Sequence, residues 1–328
     1  MKRRILMNKS TPWEDIKTPS NDLNVRKISG TDGLSLYWGK DSAGHCLFIV
    51  ELDGDHTQDY RKNFVSVHGI KTDLRLIEST KSQGLVVSLE KHVDQDLFFS
   101  LCETLIRALR NVSDPTVGLA VALAQIKRWK AFLAGRKART LTAEEVRGLF
   151  GELTFIRQLI REGFTEKRAV ESWQGPEDSH QDFIWGNNSV EIKCLSGRER
   201  STVRISSEDQ LEAVNDNLFL RVFRLADMSG SEKARSLNDL AREVEGVFSD
   251  SEALENFSNK MAKAGYVELH EYDNPKFIVA EEKSYRVTNE FPRLIRSEIP
   301  EGVVRVGYEI ELESIKPFEC NDQEIWGD

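Results

Sequence analysis

Gln181-Asp182-Phe183-Ile184-Trp185-Gly186-Asn187-Asn188-Ser189-Val190-Glu191-Ile192-Lys193-Cys194 decides how the chain folds. Asn187-Asn188 suits the positive φ angles of a two-residue hairpin turn. That turn pairs Trp185 with Val190, Ile184 with Glu191, Phe183 with Ile192 and Asp182 with Lys193. Directly paired side chains share a face. Phe183, Trp185, Val190 and Ile192 then make one apolar face, and Asp182, Glu191 and Lys193 fall together on the other. A slip of one residue would destroy this sorting.

The sorting predicts a chemistry. Asp182 and Glu191 become diagonal neighbours with Cβ atoms ~7–8 Å apart. Two carboxylates so placed reach one Mg²⁺, whose oxygen ligands lie ~2.1 Å away, and Mn²⁺ can substitute. The ion would neutralise a scissile phosphate and activate water. Lys193 is placed to orient that water or to stabilise developing charge. A D…ExK triplet is a weak signal by itself. The competing reading is a solvated hairpin face whose Asp182–Lys193 ion pair is worth only ~0–1 kcal/mol.

Upstream, Thr142-x-x-Glu145 opens a helix to about Glu162, with Val146, Leu149, Phe150, Leu153, Ile156 and Ile160 at helical spacing. Gly148 and Gly151 inside it each cost ~1 kcal/mol relative to Ala. They imply that something packs close there, and Glu152 stands beside them at the margin of the apolar stripe. Downstream, a strand at Ser201–Ile205 leads into Ser207-Glu208-Asp209-Gln210-Leu211. Gln210 reads equally as a catalytic neighbour or as the last residue of a capping box opened by Ser207. Asp178 and His180 crowd the approach to Asp182, and His180 reads as a hydrogen-bonding loop residue.

Composition narrows the classes. Net charge is −9, which argues against a general nucleic-acid coat but not against a nuclease, because a metal site needs carboxylates and DNA contact needs one basic surface. Lys127, Arg128, Lys130, Arg136, Lys137 and Arg139 form such a run without an acid among them, and it reads as a phosphate track or as a solvated helix end. The four cysteines lack CxxC spacing and read as reduced thiols; no HExxH or HxH pattern offers a zinc site. No apolar run of signal or membrane-spanning length is present, so a cytoplasmic protein with no membrane association is the expectation.

The chain organises as a flexible segment at 1–25, a β-rich subdomain at 26–95, a helical connector at 96–140 and a larger domain at 141–328. Ser35–Trp38, Cys46–Val50 and Leu85–Leu89 read as strands of an antiparallel module, and Gln95–Val112 and Val117–Ala134 as helices. Val170–Ile205 reads as strand–hairpin–strand and Leu218–Phe223 as a strand. Ser236 and Ser251 open helices, and the last sixty residues look β-rich, with runs at Lys276–Val279, Tyr285–Val287 and Val303–Leu312.

Helical acid, D…ExK hairpin, strand and Gln-bearing helix, in that order, resemble the PD-(D/E)XK nuclease superfamily of restriction-endonuclease-like folds. The closer resemblance is to the bacterial family called "PD-(D/E)XK motif protein", through Gly148–Leu153, Trp173-Gln174-Gly175-Pro176, Asp182-Phe183, Glu191-Ile192-Lys193, Ser206–Leu211, Tyr285-Arg286-Val287, Phe291-Pro292-Arg293 and Gly302-Val303-Val304. The resemblance implies an α/β (α+β) fold with a central mixed sheet flanked by helices. It implies Mg²⁺-dependent endonuclease activity on DNA, and restriction or phage-defence clusters in which a DNA methyltransferase or other subunits are partners. It leaves room for a homodimer. Asp182 and Glu191 map onto the metal ligands, Lys193 onto the motif lysine, and Glu152 onto the helical acid. Gln181-Asp182 stands where the superfamily has Pro-Asp, which keeps Asp178 open as the first ligand, although the pairing argument favours Asp182. A catalytically silent DNA-binding or assembly subunit and an RNA-cleaving nuclease are the alternatives.

Overall fold

The computed structural model describes residues 11–64, 69–77, 82–90, 95–134, 140–177, 179–197, 201–212 and 215–327. The chain divides into two compact units, residues 1–136 and 137–328.

The first unit holds β1 (Leu23–Lys27), β2 (Leu36–Asp41), β3 (Cys46–Leu52), α1 (Thr57–Asn63), β4 (Ile70–Ile77), β5 (Ser82–Leu89), α2 (Gln95–Leu109) and α3 (Pro115–Ala134). Its sheet is antiparallel throughout, in the order β1-β2-β3-β5-β4. The residues before 25, expected to be frayed, are anchored from Thr11 onward. Trp13 is 1% exposed, stacks on Phe98 at 5.3 Å and donates its indole N–H to the Leu47 carbonyl at 2.9 Å. The indole with its N–H satisfied, together with the buried Ile16, anchors a segment that is mostly polar.

The second unit holds α4 (Ala143–Arg161), α5 (Glu166–Ser172), β6 (Phe183–Trp185), β7 (Asn188–Ser196), β8 (Thr202–Ile205), β9 (Asn217–Asp227), α6 (Leu237–Glu245), α7 (Ser251–Lys263), β10 (Phe277–Arg286), β11 (Tyr308–Glu311), α8 (Leu312–Ile315), β12 (Glu319–Cys320) and α9 (Gln323–Trp326). The sheet order is β12-β10-β9-β7-β6, with β7 parallel to β9 and the other pairs antiparallel. It is the mixed sheet with flanking helices that the family resemblance implies. β8 and β11 form a separate ribbon.

The capping box of α4 is in place: the Thr142 hydroxyl accepts from the Glu145 amide and the Glu145 carboxylate accepts from the Thr142 amide. The helix lies against β7. At Gly151 a Cβ would stand 2.2 Å from the Cys194 Sγ and 3.1 Å from Ile192, so only glycine fits. Gly148 is different: nothing lies within 4 Å of its would-be Cβ, and it borders a cavity rather than a neighbouring backbone. On the other face of the sheet Leu195, Leu218, Leu220 and Val222 bury against Val203 and Ile205 of β8. β7 is covered on both faces, so Glu191 at mid-strand is buried.

Two local readings change. Val170 belongs to α5 rather than to a strand, because the Thr165 hydroxyl caps that helix by accepting from the Arg168 amide. The runs at Lys276–Val279 and Tyr285–Val287 join into the single strand β10, with a register shift between Val279 and Glu281. No helix among the described residues is long and apolar enough to cross a membrane.

Candidate active site

The hairpin forms, in a different register. Phe183 pairs with Val190, Ile184 with Ser189 and Trp185 with Asn188. The turn is therefore Gly186-Asn187, with Gly186 at φ +48°. Glycine takes the positive φ at the first central position more cheaply than asparagine would at either. The observed pairing differs from the expected one by two residues, and an even shift leaves every side chain on its own face. Phe183 and Val190 are fully buried, and Trp185 and Ile192 nearly so.

Asp182 steps out of the ladder just where it would oppose Glu191. Its carbonyl accepts from the Gln174 and Gly175 amides at 2.7 and 3.0 Å. Its Oδ2 accepts from the Ile192 amide at 2.7 Å. The aspartate is fixed by its own backbone and by the strand that carries Glu191.

The Glu191 side chain is 2% exposed, and its Oε1 lies 2.8 Å from the Lys193 ammonium. Its Oε2 is buried with no hydrogen-bond partner. Lys193 also donates to the Gln210 Oε1 at 3.0 Å, and that oxygen accepts from the Ser206 amide at 2.8 Å. The capping-box reading of Gln210 therefore gives way: its carboxamide turns to Lys193, and the Ser207 hydroxyl caps through the Asp209 amide instead.

Glu152 reaches the same place from α4. Its Oε2 accepts from the Trp173 indole N–H at 2.7 Å. A Cβ built on Gly175 would stand 2.9 Å from Glu152 Oε2 and 3.1 Å from Asp182 Oδ1, so these two oxygens lie within about 6 Å of each other. Glu152, Asp182, Glu191, Lys193 and Gln210 thus surround one cavity of about 630 Å³, which Arg147 and Arg204 also line.

Burial sets the electrostatics. It raises Asp182 above the usual carboxylate range, against the lowering effect of Lys193. Burial, then the nearness of Asp182, push Glu191 up to about 8, again with Lys193 opposing. Burial would discharge Lys193, but Glu191 and Asp182 outweigh it and hold the ammonium above its usual range. The lysine is a persistent cation, suited to stabilising negative charge and not to taking a proton.

Other expected residues fall elsewhere. Asp178 lies outside the described residues, as do Arg136, Lys137 and Arg139. His180 is exposed, 3.8 Å from Asp209. Lys127 and Lys130 are exposed on α3 in the first unit, and Arg128 is partly so. Trp173, Gly175 and Gln181 are the site's neighbours that residue-by-residue reading left without a role; the signals were the Trp173-Gln174-Gly175-Pro176 segment and the place of Gln181 before Asp182.

The family described as "Putative PD-(D/E)XK family member, (DUF4420)" matches residues 9–313. The chain belongs to this family. No curated protein and no solved structure matches it. Membership brings a nuclease-like fold.

A divalent ion fits these residues. Glu191 offers a buried oxygen that nothing else satisfies, and buried polar atoms are ordinarily partnered. Gly175 leaves clear the space beside Asp182 and Glu152 that a side chain would fill. Among the described residues no group of three or more His, Cys, Asp or Glu is placed to hold a metal ion. An ion here would rest on Asp182 and Glu191 with waters completing its shell, as Mg²⁺ commonly does with one or two carboxylates. Gly175→Ala is expected to leave the fold intact and to lower Mn²⁺ affinity about tenfold, since displaced carboxylates lose ligand geometry. Calorimetric titration measures it, and unchanged affinity would show that the glycine is incidental.

Proposed function

We propose that this PD-(D/E)XK protein is a divalent-metal-dependent endonuclease that hydrolyses DNA phosphodiester bonds. The observation that carries the reading is the buried, unpartnered Oε2 of Glu191 beside a lysine held as a cation. A strand used only for folding gains nothing from a buried carboxylate short of a partner. Asp182 and Glu191 would hold Mg²⁺ or Mn²⁺, which supplies phosphate neutralisation and water activation when bound. Asp182 is oriented for this by the Ile192 amide, and Glu191 by the Lys193 ammonium 2.8 Å from its Oε1. Lys193 stabilises negative charge on the phosphoryl oxygens, and Gln210 fixes where the ammonium points. Glu152, held by Trp173, adds a third carboxylate at the edge of the site.

DNA as substrate, and a place beside a methyltransferase in restriction or phage defence, follow from the family resemblance. The test is incubation of purified protein with methylated and unmethylated plasmid DNA, and separately with RNA, in Mg²⁺ or EDTA. Metal-dependent nicking or linearisation supports the reading. RNA cleavage alone would reassign the substrate. Metal binding without cleavage of any of these would point to a silent subunit.

The basic face of α3 belongs to the same proposal as a phosphate-binding surface. Joint reversal of Lys127, Arg128 and Lys130 to Glu is expected to weaken DNA binding and to lower the salt slope by about one for each phosphate no longer neutralised. Binding measured at several salt concentrations decides; an unchanged slope removes α3 from the interface.

A further inference from the structure

We propose that Gln181 is a positioning residue of this site: it ties the strand of Asp182 to the turn of Gln210 and so sets the direction of the Lys193 ammonium. The inference rests on the nuclease reading only for its rate readout.

Gln181 is 1% exposed and immediately precedes Asp182. Its Nε2 donates to the carbonyls of Asp209, Gln210 and Glu212 at 3.0, 3.4 and 3.1 Å. These carbonyls belong to the single 3₁₀ turn Glu208–Leu211 and its C-cap. A one-turn 3₁₀ helix has poor internal hydrogen bonds and little stability of its own. Its shape must be imposed from outside. Arg293 donates to the Leu211 carbonyl at 2.6 Å and Arg305 to the Ser206 carbonyl at 3.1 Å, gripping the same turn. Gln181 joins that turn to the residue next to a proposed metal ligand.

The turn matters because of what it presents. Gln210 Oε1 is held between the Ser206 amide and the Lys193 ammonium. If the turn shifts, that oxygen leaves the lysine, and the ammonium is left to Glu191 and Asp182 alone. The Gln181 Oε1, meanwhile, is buried with no partner. A buried carboxamide half-satisfied is costly, and apolar residues avoid that cost. Proline, the superfamily residue at this place, has no side-chain donor to offer the turn.

The test is Gln181→Met, which keeps length and volume and removes the donor, alone and combined with Gln210→Ala. If Gln181→Met does not give a native circular dichroism spectrum, Gln181→Leu, close in volume and without a side-chain donor, takes its place. The first readout needs no nuclease activity: the rate at which Lys193 is reductively methylated, followed by peptide mass spectrometry. It is expected to rise several-fold in the Gln181 variant, to the level of Gln210→Ala. The second is cleavage kinetics, where kcat is expected to fall about tenfold with KM for DNA unchanged, as for residues that orient others. The double variant is expected to be no slower than Gln210→Ala, because both changes break one linkage. Unchanged Lys193 reactivity, or rate losses that multiply in the double variant, would overturn the proposal. If the wild type cleaves nothing, the methylation result still decides it.

Discussion

Lys193→Ala and Glu191→Ala are each expected to reduce cleavage by about 10²–10³-fold or more while leaving the fold in place. The fold should survive because the apolar face of the hairpin is made by Phe183, Trp185, Val190 and Ile192, which neither change touches. The two variants should differ in metal binding. Glu191→Ala removes an oxygen ligand, so affinity for Mg²⁺ or Mn²⁺ should fall about 10–100-fold. Lys193→Ala removes a group that is no ligand for Mg²⁺ and that repels a cation, so affinity should hold or rise. The pair separates charge stabilisation by the lysine from ion binding by the carboxylate. Calorimetry with Mn²⁺ alongside plasmid cleavage gives both quantities. Cleavage that persists in both variants would remove the hairpin from the chemistry, and equal loss of metal affinity in both would mean that the site is held together by the ion pair itself.

The acid–base sorting on the hairpin was legible because strand side chains alternate, and alternation survives an even error in register. The register itself was not legible, since Gly186 and Asn187 outcompete Asn187-Asn188 for the turn through one positive φ. Glu152 was legible because two glycines on an otherwise well-formed helix had to answer to something. One of them, Gly151, answers to Cys194 and Ile192, whereas Gly148 opens on the cavity. Trp173, Gly175 and Gln181 stood in segments that carry the family resemblance, but nothing local gave them a role. Their roles exist only once α4, the segment after α5 and the Gln210 turn meet, and no periodicity encodes that meeting. β1 escaped notice because it is an edge strand whose residues are mostly exposed, so burial left no pattern on it. The anchoring of Trp13 was missed for the converse reason: two buried residues, Trp13 and Ile16, in a mostly polar stretch make no pattern.

The metal-free protein is expected to lose stability as pH rises from about 5 to 8, and to bind Mg²⁺ more tightly over the same range. Glu191 is raised from an ordinary 4.5 to about 8, first by burial and then by Asp182. A carboxyl raised on folding is protonated in the folded chain where the unfolded chain is already ionised. Its stabilising contribution is fully present below about 4.5 and is lost as pH climbs to about 8. One such group changes stability by at most about 1.4 kcal/mol per pH unit inside that window. Asp182 is raised by burial as well and adds a loss of the same sign. Glu191→Gln replaces the titrating group by a neutral one of equal size, so its melting temperature in EDTA should fall less with pH than that of the wild type. The ion must displace the proton that Glu191 holds at neutral pH. Its apparent affinity should therefore rise by up to about tenfold per pH unit and level off above about 8, with close to one proton released per ion at pH 7. Calorimetric titration in two buffers of different ionisation enthalpy counts that proton. An ion that binds at pH 7 without releasing one would mean that Glu191 is already ionised, and that Lys193 compensates its burial more fully than the geometry indicates.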